Sequence, residues 1–539
     1  MTQLFKIAPA TQSACRVFKI APATQSACRV FKFKPSYTPI IELYDDAERS
    51  LDSLVGREIT VKGWTRFKRT QQKILFIQMY DGSHPVPFQL ILDEEKTPLK
   101  NFHCLKVAVN VGDTIQATGI IVKSPAKGQL IEMQVTDFQI LGKVSDPATY
   151  LPSVKGVTLE VLRDRQDLRP KFRSAQATFR IRSALSRLVH EYFHLRRIHH
   201  LDPNVITTSD CEGAGEVFTI TTLLKDGKRS SIPIVRESIG DKTVETDDID
   251  YSEDFFLHQA YLTVSSQLQL EALCAGMGPV YTTNPSFRAE PSKTRRHLAC
   301  FTHLEWELPF IDLSQLMDFS EDVVTFCIRG VLRDCLPDLK ELDNYVAKGL
   351  IQYLESLVAQ DFARMSYDEA VEIIEKDAQL IREKFEGESF DIPKWGDDLG
   401  SFCERYIAEN ICQKPVFVYG YPQDLKSFYM KQREPYEYTH KDGHIEIRRI
   451  VDSCDLLLPG LGELIGSSIR EDGYDQLMNE IVRRGIDPKP LQWYIDLRKD
   501  ATFPHGGAGL GFDRLVAVCT TAHIQDGVPF PVYFKHCKF

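Results

Sequence analysis

Residues 286–310, SFRAEPSKTRRHLACFTHLEWELPF, carry the residue types of a nucleotide-binding site. Five basic residues lie between Arg288 and His297, and such a cluster can hold a polyphosphate through charge-assisted hydrogen bonds. Phe301 offers a flat face on which a base can stack. Glu305 and Glu307 offer carboxylate oxygens, which hard cations such as Mg²⁺ prefer as ligands. The stretch therefore indicates a site for a nucleotide and its cation.

A β-hairpin is the element that would position these side chains. The segment up to Arg288 is strand-like, residues 291–296 are polar and turn-like, and the return segment alternates in character from Phe301 through His303 to Glu307. Alternate residues of a strand point to the same face, so the hairpin would present these side chains together. An ordinary solvated hairpin with a charged tip is the alternative interpretation, and this stretch alone leaves both open.

Length and composition indicate a multidomain globular protein. The chain of 539 residues exceeds one comfortable hydrophobic core, so two or three domains are expected. The formal net charge of −10 argues against general coating of nucleic acid, although a local basic face can still bind it. No apolar run reaches the roughly 18 residues of a membrane span. The thirteen cysteines are scattered without a CxxC pair, so we expect reduced thiols and a cytoplasmic location.

The N-terminus contains a perfect tandem duplication. The sequence FKIAPATQSACRV fills residues 5–17 and again residues 18–30. Residues 1–41 hold six Lys or Arg and no acidic residue, which would suit an organelle-targeting segment or a tRNA-contacting tail. Two short copies cannot form a solenoid, so we favour a duplicated, disordered basic extension over residues 1–39.

Residues 40–142 contain five short β-rich runs at roughly regular spacing. This pattern predicts a small closed barrel of the oligonucleotide-binding kind. Basic and aromatic residues alternate in its first hairpin: Arg57, Lys62, Trp64, Arg66, Phe67, Lys68, Arg69, Lys73 and Phe76. Phosphates can meet such charges while bases stack on the rings, which favours single-stranded nucleic acid as the ligand. The alternative is a barrel whose aromatic residues only fill the core.

A linker at residues 143–175 precedes a second domain, residues 176–539. Residues 176–197 place apolar side chains at helical spacing and predict a long amphipathic helix. His190, Glu191 and His194 on this helix match the HExxH pattern of zinc proteases, but no motif for a third ligand follows at a suitable spacing. Three helical runs between residues 314 and 385 predict a helical insertion at about residues 314–395.

The chain then returns to strand-like runs and ends with HGGAGLGFDRLVAV at residues 505–518. Gly507, Gly509 and Gly511 resemble a dinucleotide-binding fingerprint, but no βαβ unit follows them. Glycines that let a backbone pack closely, followed by an arginine one helical turn later, would instead place Arg514 over a phosphate.

Three separated segments together resemble the signature motifs of class II aminoacyl-tRNA synthetases. The long helix with the strand ending at Pro203 is similar to motif 1, FRAE followed by RRHLACF to motif 2, and GAGLGFDR to motif 3. The barrel in front indicates the subgroup for aspartate, asparagine and lysine. Segments such as SDCEGAGEVFTITTL, AYLTVSSQLQLE and LLLPGLGELIGSSIRED resemble asparaginyl-tRNA synthetases of the eukaryotic cytosolic type.

This resemblance covers residues 40–539 and implies an α+β fold. The expected architecture is an N-terminal five-stranded oligonucleotide-binding β-barrel followed by a class II catalytic domain on an antiparallel β-sheet flanked by helices. It implies an ATP-dependent asparagine–tRNA ligase that uses Mg²⁺, forms a homodimer through the motif 1 region and has no membrane partner. Its substrates would be asparagine, ATP and tRNA(Asn).

The resemblance also implies individual roles. Catalysis would involve Arg288, Glu290, His297 and Arg514. ATP would be bound by Arg288, Arg296, His297, Phe301, Glu463, Gly509, Gly511 and Arg514. The amino acid would be bound by Glu212, Gln267, Glu271 and Arg470. Asp455 and Glu463 would bind the metal. Arg66, Phe76 and Gln89 would bind the anticodon.

The choice of asparagine over aspartate depends on one element. Aspartyl enzymes usually carry a Lys after the SxQL element, and this chain has Leu270 followed by Glu271. Because the two substrates are nearly isosteric, only polar complementarity can separate them. Glu271 would accept a hydrogen bond from the amide and repel a carboxylate, while Arg470 would donate to the amide oxygen and Glu212 would hold the α-ammonium group.

Besides the zinc-protease interpretation of residues 190–194, two alternatives remain at this stage. One is an aspartyl or non-discriminating aspartyl synthetase, against which Leu270 and Glu271 argue. The other is a non-catalytic tRNA-binding paralogue, for which the one sequence feature is Cys300. The family usually has a Glu at that position, immediately before the adenine-stacking Phe301.

Overall fold

The computed structural model describes the chain except for residues 1–32, 34, 96–101, 127, 155, 210–215, 225–231, 240–241, 293–296, 387–389, 441–442 and 539. The chain divides into two compact units, Met1–Ser153 and Val154–Phe539. The prediction for the duplicated extension, and those for Glu212 and Arg296, lie outside the described residues.

Five strands close the first unit into a barrel with the order β1-β2-β3-β5-β4. Their bounds are β1 Glu58–Gln71, β2 Ile74–Tyr80, β3 Phe88–Asp93, β4 Thr114–Lys123 and β5 Ile131–Gly142. All neighbours are antiparallel except β3 and β5. Alternate side chains such as Leu75, Ile77 and Leu90 are fully buried in the core, while those between them face outward. The predicted five-stranded barrel is confirmed.

Two helices accompany this barrel, α1 Ile40–Leu54 and α2 Phe102–Ala108. Helix α1 was not among the predicted elements. Its buried side chains Ile40, Leu43, Tyr44 and Ala47 recur at helical spacing and pack on the barrel core. This spacing of apolar residues could have predicted the helix, although the segment is otherwise rich in charged residues.

The second unit is built around a nine-stranded sheet. Its strands, and those of three smaller sheets, are β6 His199–His200, β7 Ile206–Thr207, β8 Thr219–Ile220, β9 Ile234–Ile239, β10 Lys242–Ile249, β11 Ala260–Leu262, β12 Val280–Thr282, β13 Pro285–Phe287, β14 Cys300–Pro309, β15 Ala363–Ser366, β16 Val416–Tyr419, β17 Tyr436–Thr439, β18 Ile445–Arg448, β19 Ser453–Leu458, β20 Gly462–Ile469 and β21 His505–Gly511.

The large sheet has the order β15-β16-β19-β20-β21-β14-β12-β6, and β13 pairs with β14 beside this path. Its pairs are antiparallel except at the two ends, where β15 with β16 and β12 with β6 are parallel. The predicted antiparallel catalytic sheet is thus confirmed, with one parallel pair at each edge. The hairpin predicted around Arg288 is the pair β13 and β14, in which Phe287 lies opposite Cys300.

Helices flank this sheet. They are α3 Leu159–Asp164, α4 Arg173–Leu195, α5 Gln267–Met277, α6 Leu313–Asp334, α7 Leu336–Tyr345, α8 Leu350–Leu357, α9 Tyr367–Lys376, α10 Ala378–Lys384, α11 Gly400–Tyr406, α12 Tyr474–Arg483, α13 Gln492–Asp496, α14 Phe512–Thr520 and α15 Ile524–Gly527. Helix α4 is the predicted long amphipathic helix. Its apolar stripe joins α6 and the sheet in the largest hydrophobic core, together with Trp306 of β14.

The helical insertion contains more pieces than the sequence predicts. Five helices, α6 to α10, and strand β15 replace the three predicted runs. The sequence pattern suggests continuous helix here, but two residues interrupt it. One is a proline at the start of α7, and the other is Gly349, which takes the left-handed conformation (φ 90°) before α8.

The HExxH pattern is part of the packing of α4. His190 Nδ1 lies 2.8 Å from the Tyr281 hydroxyl, and His194 is exposed. In the described part of the chain, no three His, Cys, Asp or Glu side chains are grouped to hold a metal ion. No described helix has both the length and the apolar character needed to cross a membrane.

Candidate active site

Close packing of β14 against β21 explains the glycines of the C-terminal motif. Glu307 lies opposite Gly507, and Glu305 lies opposite Gly509. A Cβ atom at position 507 would come within 2.0 Å of Glu307 Oε2, and one at position 509 within 2.4 Å of His303 Nε2. The side chains of the predicted nucleotide-binding hairpin therefore occupy the space that these glycines leave open.

A cavity of about 100 Å³ brings together the predicted ATP-binding residues. Its walls include Arg288, Glu290, His297, Phe301, Glu463, Gly509, Gly511 and Arg514. The guanidinium carbon of Arg288 lies 5.6 Å from the centroid of the Phe301 ring. Every predicted ATP-binding residue except Arg296, which is outside the described residues, thus lines one cavity. A basic, aromatic-walled slot of this kind can hold a base together with its phosphates.

A larger cleft of about 280 Å³ adjoins this slot. The two share Arg288, His303, Glu463 and Gly509 as lining residues. At its other end the cleft is lined by residues of α5, of β14 and of two connecting segments, namely Gln267, Leu270, Glu307, Tyr429 and Arg470. Arg288 therefore stands between the aromatic-walled slot and a second polar cleft, where it can reach a group shared by two substrates.

A buried ion pair forms the end wall of the cleft. Arg470 Nε donates to Glu307 Oε1 at 3.0 Å, and Arg470 NH2 donates to Glu307 Oε2 at 2.9 Å. Arg470 NH1 also donates to Ser468 Oγ at 2.6 Å. Burial lowers the pKa of Arg470, but the charge of Glu307 outweighs burial and raises it. Arg470 is therefore a fixed cation with a carboxylate beside it, so the pair offers one donor and one acceptor group.

Glu307 also lines the amino-acid cleft, a role that the sequence did not predict for it. Its place in the alternation of β14 suggested a cation ligand instead. In the structure its carboxylate is held by Arg470, and Glu305 is likewise occupied, accepting from Ser265 Oγ and from the Ser266 backbone N–H at 3.0 Å. The expectation that Glu305 and Glu307 hold a cation is therefore wrong. The sequence signal for a carboxylate pointing into the site was present, but its partner was not visible.

Glu271 lies behind the cleft. It is not among the described residues that line the cleft, although its neighbour Leu270 is. Its carboxylate accepts from the Tyr494 hydroxyl at 2.8 Å, from Arg498 NH2 at 2.5 Å and from His505 Nε2 at 3.1 Å. Gln267, which lines the cleft, lies one helical turn before Glu271 on the same face of α5 and donates through Nε2 to Glu271 Oε1 at 3.1 Å.

The charges around Glu271 keep it ionised. Burial raises its pKa, but Arg498 and His505 outweigh burial and hold the pKa well below the ordinary range. Its Oε2 atom accepts from Tyr494, Arg498 and His505, while its Oε1 atom accepts from Gln267 Nε2 at 3.1 Å and lies 3.9 Å from Arg470 Nε, and both Gln267 and Arg470 line the cleft. The expectation that Glu271 accepts directly from the substrate amide therefore stays a prediction, with Glu307 as a second candidate acceptor.

The predicted metal ligands lie together at the border of the two cavities. Asp455 on β19 pairs with Gly466 on β20, and oxygens of Asp455 and Glu463 both lie within 4 Å of the point where a Cβ at Gly466 would stand. Lys426 Nζ lies 2.5 Å from Asp455 Oδ2, and Arg514 NH1 lies 3.3 Å from Glu463 Oε2. Burial raises the pKa of Asp455 to about 6. Two converging carboxylates beside a phosphate site fit Mg²⁺, which takes one or two carboxylates together with substrate phosphates.

The predicted anticodon residues share the outer face of the barrel. Gln89 pairs with Gln78 across β3 and β2, and Phe76 lies two residues before Gln78 on the same face. The Arg66 guanidinium carbon lies 4.0 Å above the ring centroid of Tyr80, the next outward residue of β2. All three predicted residues are half-buried. The barrel therefore offers a surface of rings, amides and cations suited to unstacked bases.

Comparison with known proteins agrees with this arrangement. The family described as tRNA synthetases class II (D, K and N) matches residues 162–533, and the OB-fold nucleic acid binding domain matches residues 59–141. The asparagine–tRNA ligase of Parabacteroides distasonis is 38% identical over 90% of this chain and 96% of its own length.

Two solved structures extend the likeness to three dimensions. Asparaginyl-tRNA synthetase from Pyrococcus horikoshii, complexed with asparaginyl-adenylate, is 28% identical with a TM-score of 0.71, over 90% of this chain and 97% of that chain. The Entamoeba histolytica enzyme in complex with asparaginyl-adenylate is 25% identical with a TM-score of 0.72, over 94% of this chain and 100% of that chain. With its two-cavity site on a matching fold, the chain belongs to the class II tRNA synthetases of the D, K and N group.

Proposed function

We propose that the protein is an asparagine–tRNA ligase. It activates L-asparagine with ATP to asparaginyl-adenylate and pyrophosphate, and then transfers the asparaginyl group to tRNA(Asn) with release of AMP. The observation that carries the proposal is the pair of adjoining cavities with Arg288 between them, one with an aromatic–arginine slot and the other with the Arg470–Glu307 pair. The names of the similar curated proteins and the adenylate bound to the solved neighbours support the same activity.

In the nucleotide slot, catalysis depends on how the substrates are oriented and on the fixed positive charges around them. The asparagine carboxylate attacks the α-phosphorus, the bond to the pyrophosphate oxygen breaks, and negative charge accumulates on the phosphate oxygens. Arg288 lies between the cavities and contacts the α-phosphate, while Phe301 stacks on the adenine and Arg514 lies on its other face. Fixed cations aimed at developing charge need no proton transfer, so orientation and electrostatic stabilisation supply the rate.

Several further residues complete the nucleotide site. Glu290 and His297 belong to the hairpin loop that faces the acceptor end of the tRNA. Gly509 and Gly511 keep the slot open, and Arg296 keeps the phosphate role that the family resemblance implies.

In the amino-acid cleft, Arg470 donates to the side-chain carbonyl of asparagine and Glu307 accepts from its amide. An aspartate side chain would instead present a second carboxylate to Glu307 and be repelled. Gln267 lines the same cleft, and Leu270 places an apolar group where an ammonium would attract aspartate. We assign Glu271 a positioning role: it anchors Tyr494, Arg498 and His505 behind the cleft and accepts from Gln267 at the cleft wall. Glu212 keeps the implied contact with the α-ammonium group.

Asp455 and Glu463 would hold Mg²⁺ in this proposal. When bound, the ion would neutralise phosphate charge and orient the pyrophosphate as a leaving group. Both carboxylates already converge on one point, and both already face a cation of the chain, Lys426 and Arg514 respectively. Lys426 favours the ionised form of Asp455 but does not outweigh burial, which raises the pKa of this carboxyl to about 6; a bound metal would add the further positive charge that favours ionisation.

The barrel binds the anticodon. Phe76 stacks on a base, while Arg66 and Gln89 supply a cation and an amide for phosphate and base-edge contacts. Because this surface belongs to a separate compact unit, its loss is expected to affect tRNA charging and to leave asparagine activation intact.

The protein forms a homodimer through α4 and β6, the motif 1 region. Strand β6 is the last in the order of the large sheet, and both of its residues, His199 and His200, are exposed. An edge of this kind can pair with a second copy. Size-exclusion chromatography with light scattering tests this, and a monomer at micromolar concentration would contradict it.

A cytoplasmic location stays a prediction from cysteine usage and family type.

ATP–pyrophosphate exchange with Mg²⁺, comparing asparagine with aspartate, is the experiment that tests the activity. Exchange with asparagine alone, followed by charging of tRNA(Asn), is the expected result. Exchange with aspartate would favour an aspartyl or non-discriminating enzyme. Absence of exchange with either would favour the non-catalytic paralogue. Against the paralogue, Cys300 pairs with Phe287 and Val532 and is not among the described residues lining the nucleotide cavity.

A further inference from the structure

Phe301 and Arg514 form two walls of the nucleotide slot, and both lie beyond the end of the ladder of hydrogen bonds between β14 and β21. Strand β14 pairs with β21 from Pro309 back to His303, which lies opposite Gly511. Phe301 comes before that ladder begins, and Arg514 lies in the first turn of α14 after β21 has ended. On this side of β14, the register of the sheet therefore does not fix the distance between the ring and the guanidinium group.

A buried carboxylate takes the place of the missing ladder bonds. Asp513, the residue before Arg514, accepts a hydrogen bond at its Oδ2 from the backbone N–H of Thr302 at 2.8 Å. Thr302 is the residue after Phe301. Asp513 is 2% exposed. The Asp513 carboxylate therefore links the neighbour of Phe301 to the neighbour of Arg514.

Arg182 of α4 holds this carboxylate from behind. Its NH1 donates to Asp513 Oδ1, and its NH2 donates to Thr302 Oγ1 at 3.3 Å. NH1 also donates to the Gly527 carbonyl oxygen at 3.3 Å, and the guanidinium carbon lies 5.0 Å from the centroid of the Phe512 ring. Arg182 therefore contacts the neighbours of both walls and has a fixed orientation of its own.

We infer that Arg182 and Asp513 are positioning residues that set the separation of Phe301 and Arg514, so that helix α4 controls the affinity of the slot for ATP. The inference rests on the proposed function, because it takes the slot to be the site of the adenine and phosphates. Loss of the Arg182 guanidinium leaves Asp513 buried without its cation, and the carboxylate then turns toward solvent and releases Thr302. The slot widens, while the asparagine cleft, whose end wall is the Arg470–Glu307 pair, keeps its shape.

A second ion pair on the same helix provides a matched control. Arg180, two residues before Arg182, donates to Asp338 of α7 through Nε at 3.0 Å and through NH2 at 2.7 Å. The Arg180 and Arg182 side chains are 20% and 19% exposed, and their carboxylate partners are 9% and 2% exposed. Arg180 contacts helix α7 rather than the nucleotide slot. Its loss should therefore lower the stability of the fold about as much as the loss of Arg182, without changing the affinity for ATP.

The test compares R182M with R180M in the full-length protein. ATP affinity is measured by calorimetry with Mg²⁺ present, KM values for ATP and asparagine by pyrophosphate exchange, and folding by thermal melting. R182M is expected to weaken ATP binding and raise the KM for ATP by about 10- to 100-fold, the range expected for misplacement of a binding group, while the KM for asparagine changes less than about twofold. R180M is expected to lower the melting temperature similarly and to leave ATP binding unchanged.

R182K serves as the conservative variant. It keeps the charge beside Asp513 and is expected to recover part of the ATP affinity, and it provides the measurement if R182M does not fold. Equal ATP affinity in the R182 and R180 variants would overturn the inference and leave the proposed function intact. A wild-type protein that binds no ATP would overturn the proposed function itself, so the two failures are distinguishable.

Discussion

The exchange of Glu307 for Gln, compared with the same exchange at Glu271, separates the two carboxylates that could read the asparagine amide. Glu307 lies in the wall of the cleft, with Arg470 Nε and NH2 at 3.0 and 2.9 Å from its two oxygens. Glu271 lies behind the wall and is bound by Tyr494, Arg498 and His505. E307Q preserves shape and removes the charge that faces the substrate, whereas E271Q removes a charge that the substrate does not meet.

The size of the effect follows from two terms. Loss of a charge-assisted hydrogen bond to the asparagine amide costs about 1.5–3 kcal/mol, which corresponds to a fall of about 10- to 150-fold in kcat/KM for asparagine. Aspartate gains instead, because two like charges about 4 Å apart repel by about 4 kcal/mol at an effective dielectric constant of about 20, or about a thousandfold in rate. E307Q is therefore expected to lower the preference for asparagine over aspartate by several orders of magnitude.

E271Q is expected to behave differently. It leaves the buried guanidinium of Arg498 without its carboxylate, and removing one partner of such a pair costs about 3–5 kcal/mol of stability. Exchange rates with both amino acids should fall together in E271Q, and the melting temperature should fall in E271Q and in E307Q alike, because each exchange leaves a buried arginine facing an amide in place of a carboxylate.

The assay is ATP–pyrophosphate exchange at saturating ATP, with kcat/KM determined for both amino acids and thermal melting of each variant. If E271Q relaxes the asparagine preference more than E307Q does, the assignment of Glu307 is refuted. The original expectation for Glu271 would then stand, despite its position behind the cleft.

Three further predictions concern other parts of the molecule. F76A is expected to raise the KM for tRNA by about 5- to 150-fold, the cost of about 1–3 kcal/mol for one lost base stack, with exchange unchanged; a change in exchange would contradict the separation of the two units. D455N is expected to raise the Mg²⁺ concentration for half-maximal exchange about tenfold or more, and an unchanged Mg²⁺ titration would rule out this ligand. Burial lowers the pKa of His505, but the hydrogen bond and charge of Glu271 outweigh burial and raise the pKa above its ordinary 6.5. The pair therefore stabilises the fold fully below pH 6.5 and loses this contribution as pH rises through the raised pKa, so the melting-temperature difference between wild type and H505Q should shrink with rising pH; a constant difference would contradict the assignment.

Local pattern was sufficient for those parts of the fold in which neighbouring residues decide the outcome. The alternation from Phe301 to Glu307 predicted the return strand of the hairpin, and five alternating runs predicted the barrel, because a strand needs one apolar face whatever lies elsewhere in the chain. Motif spacing also predicted which side chains gather at the nucleotide slot, since Phe301 and Arg514 follow directly from the positions of a strand end and a helix start. Helix α1 had the same kind of signal in the spacing of its apolar residues.

Other features depend on partners far along the chain, and sequence spacing does not contain them. Leu270 and Glu271 are adjacent, and only the rotation of α5 against the sheet determines that Leu270 faces the cleft. The Oε2 atom of Glu271 is held by three donors from the region of residues 494–505, while its Oε1 atom accepts from Gln267 of the cleft. Glu307 lines the cleft because Arg470, the residue after β20, reaches it across the backbone of Gly507. A buried charge settles where its counter-charge and hydrogen-bond donors converge, and that convergence arises only when distant strands and helices pack together.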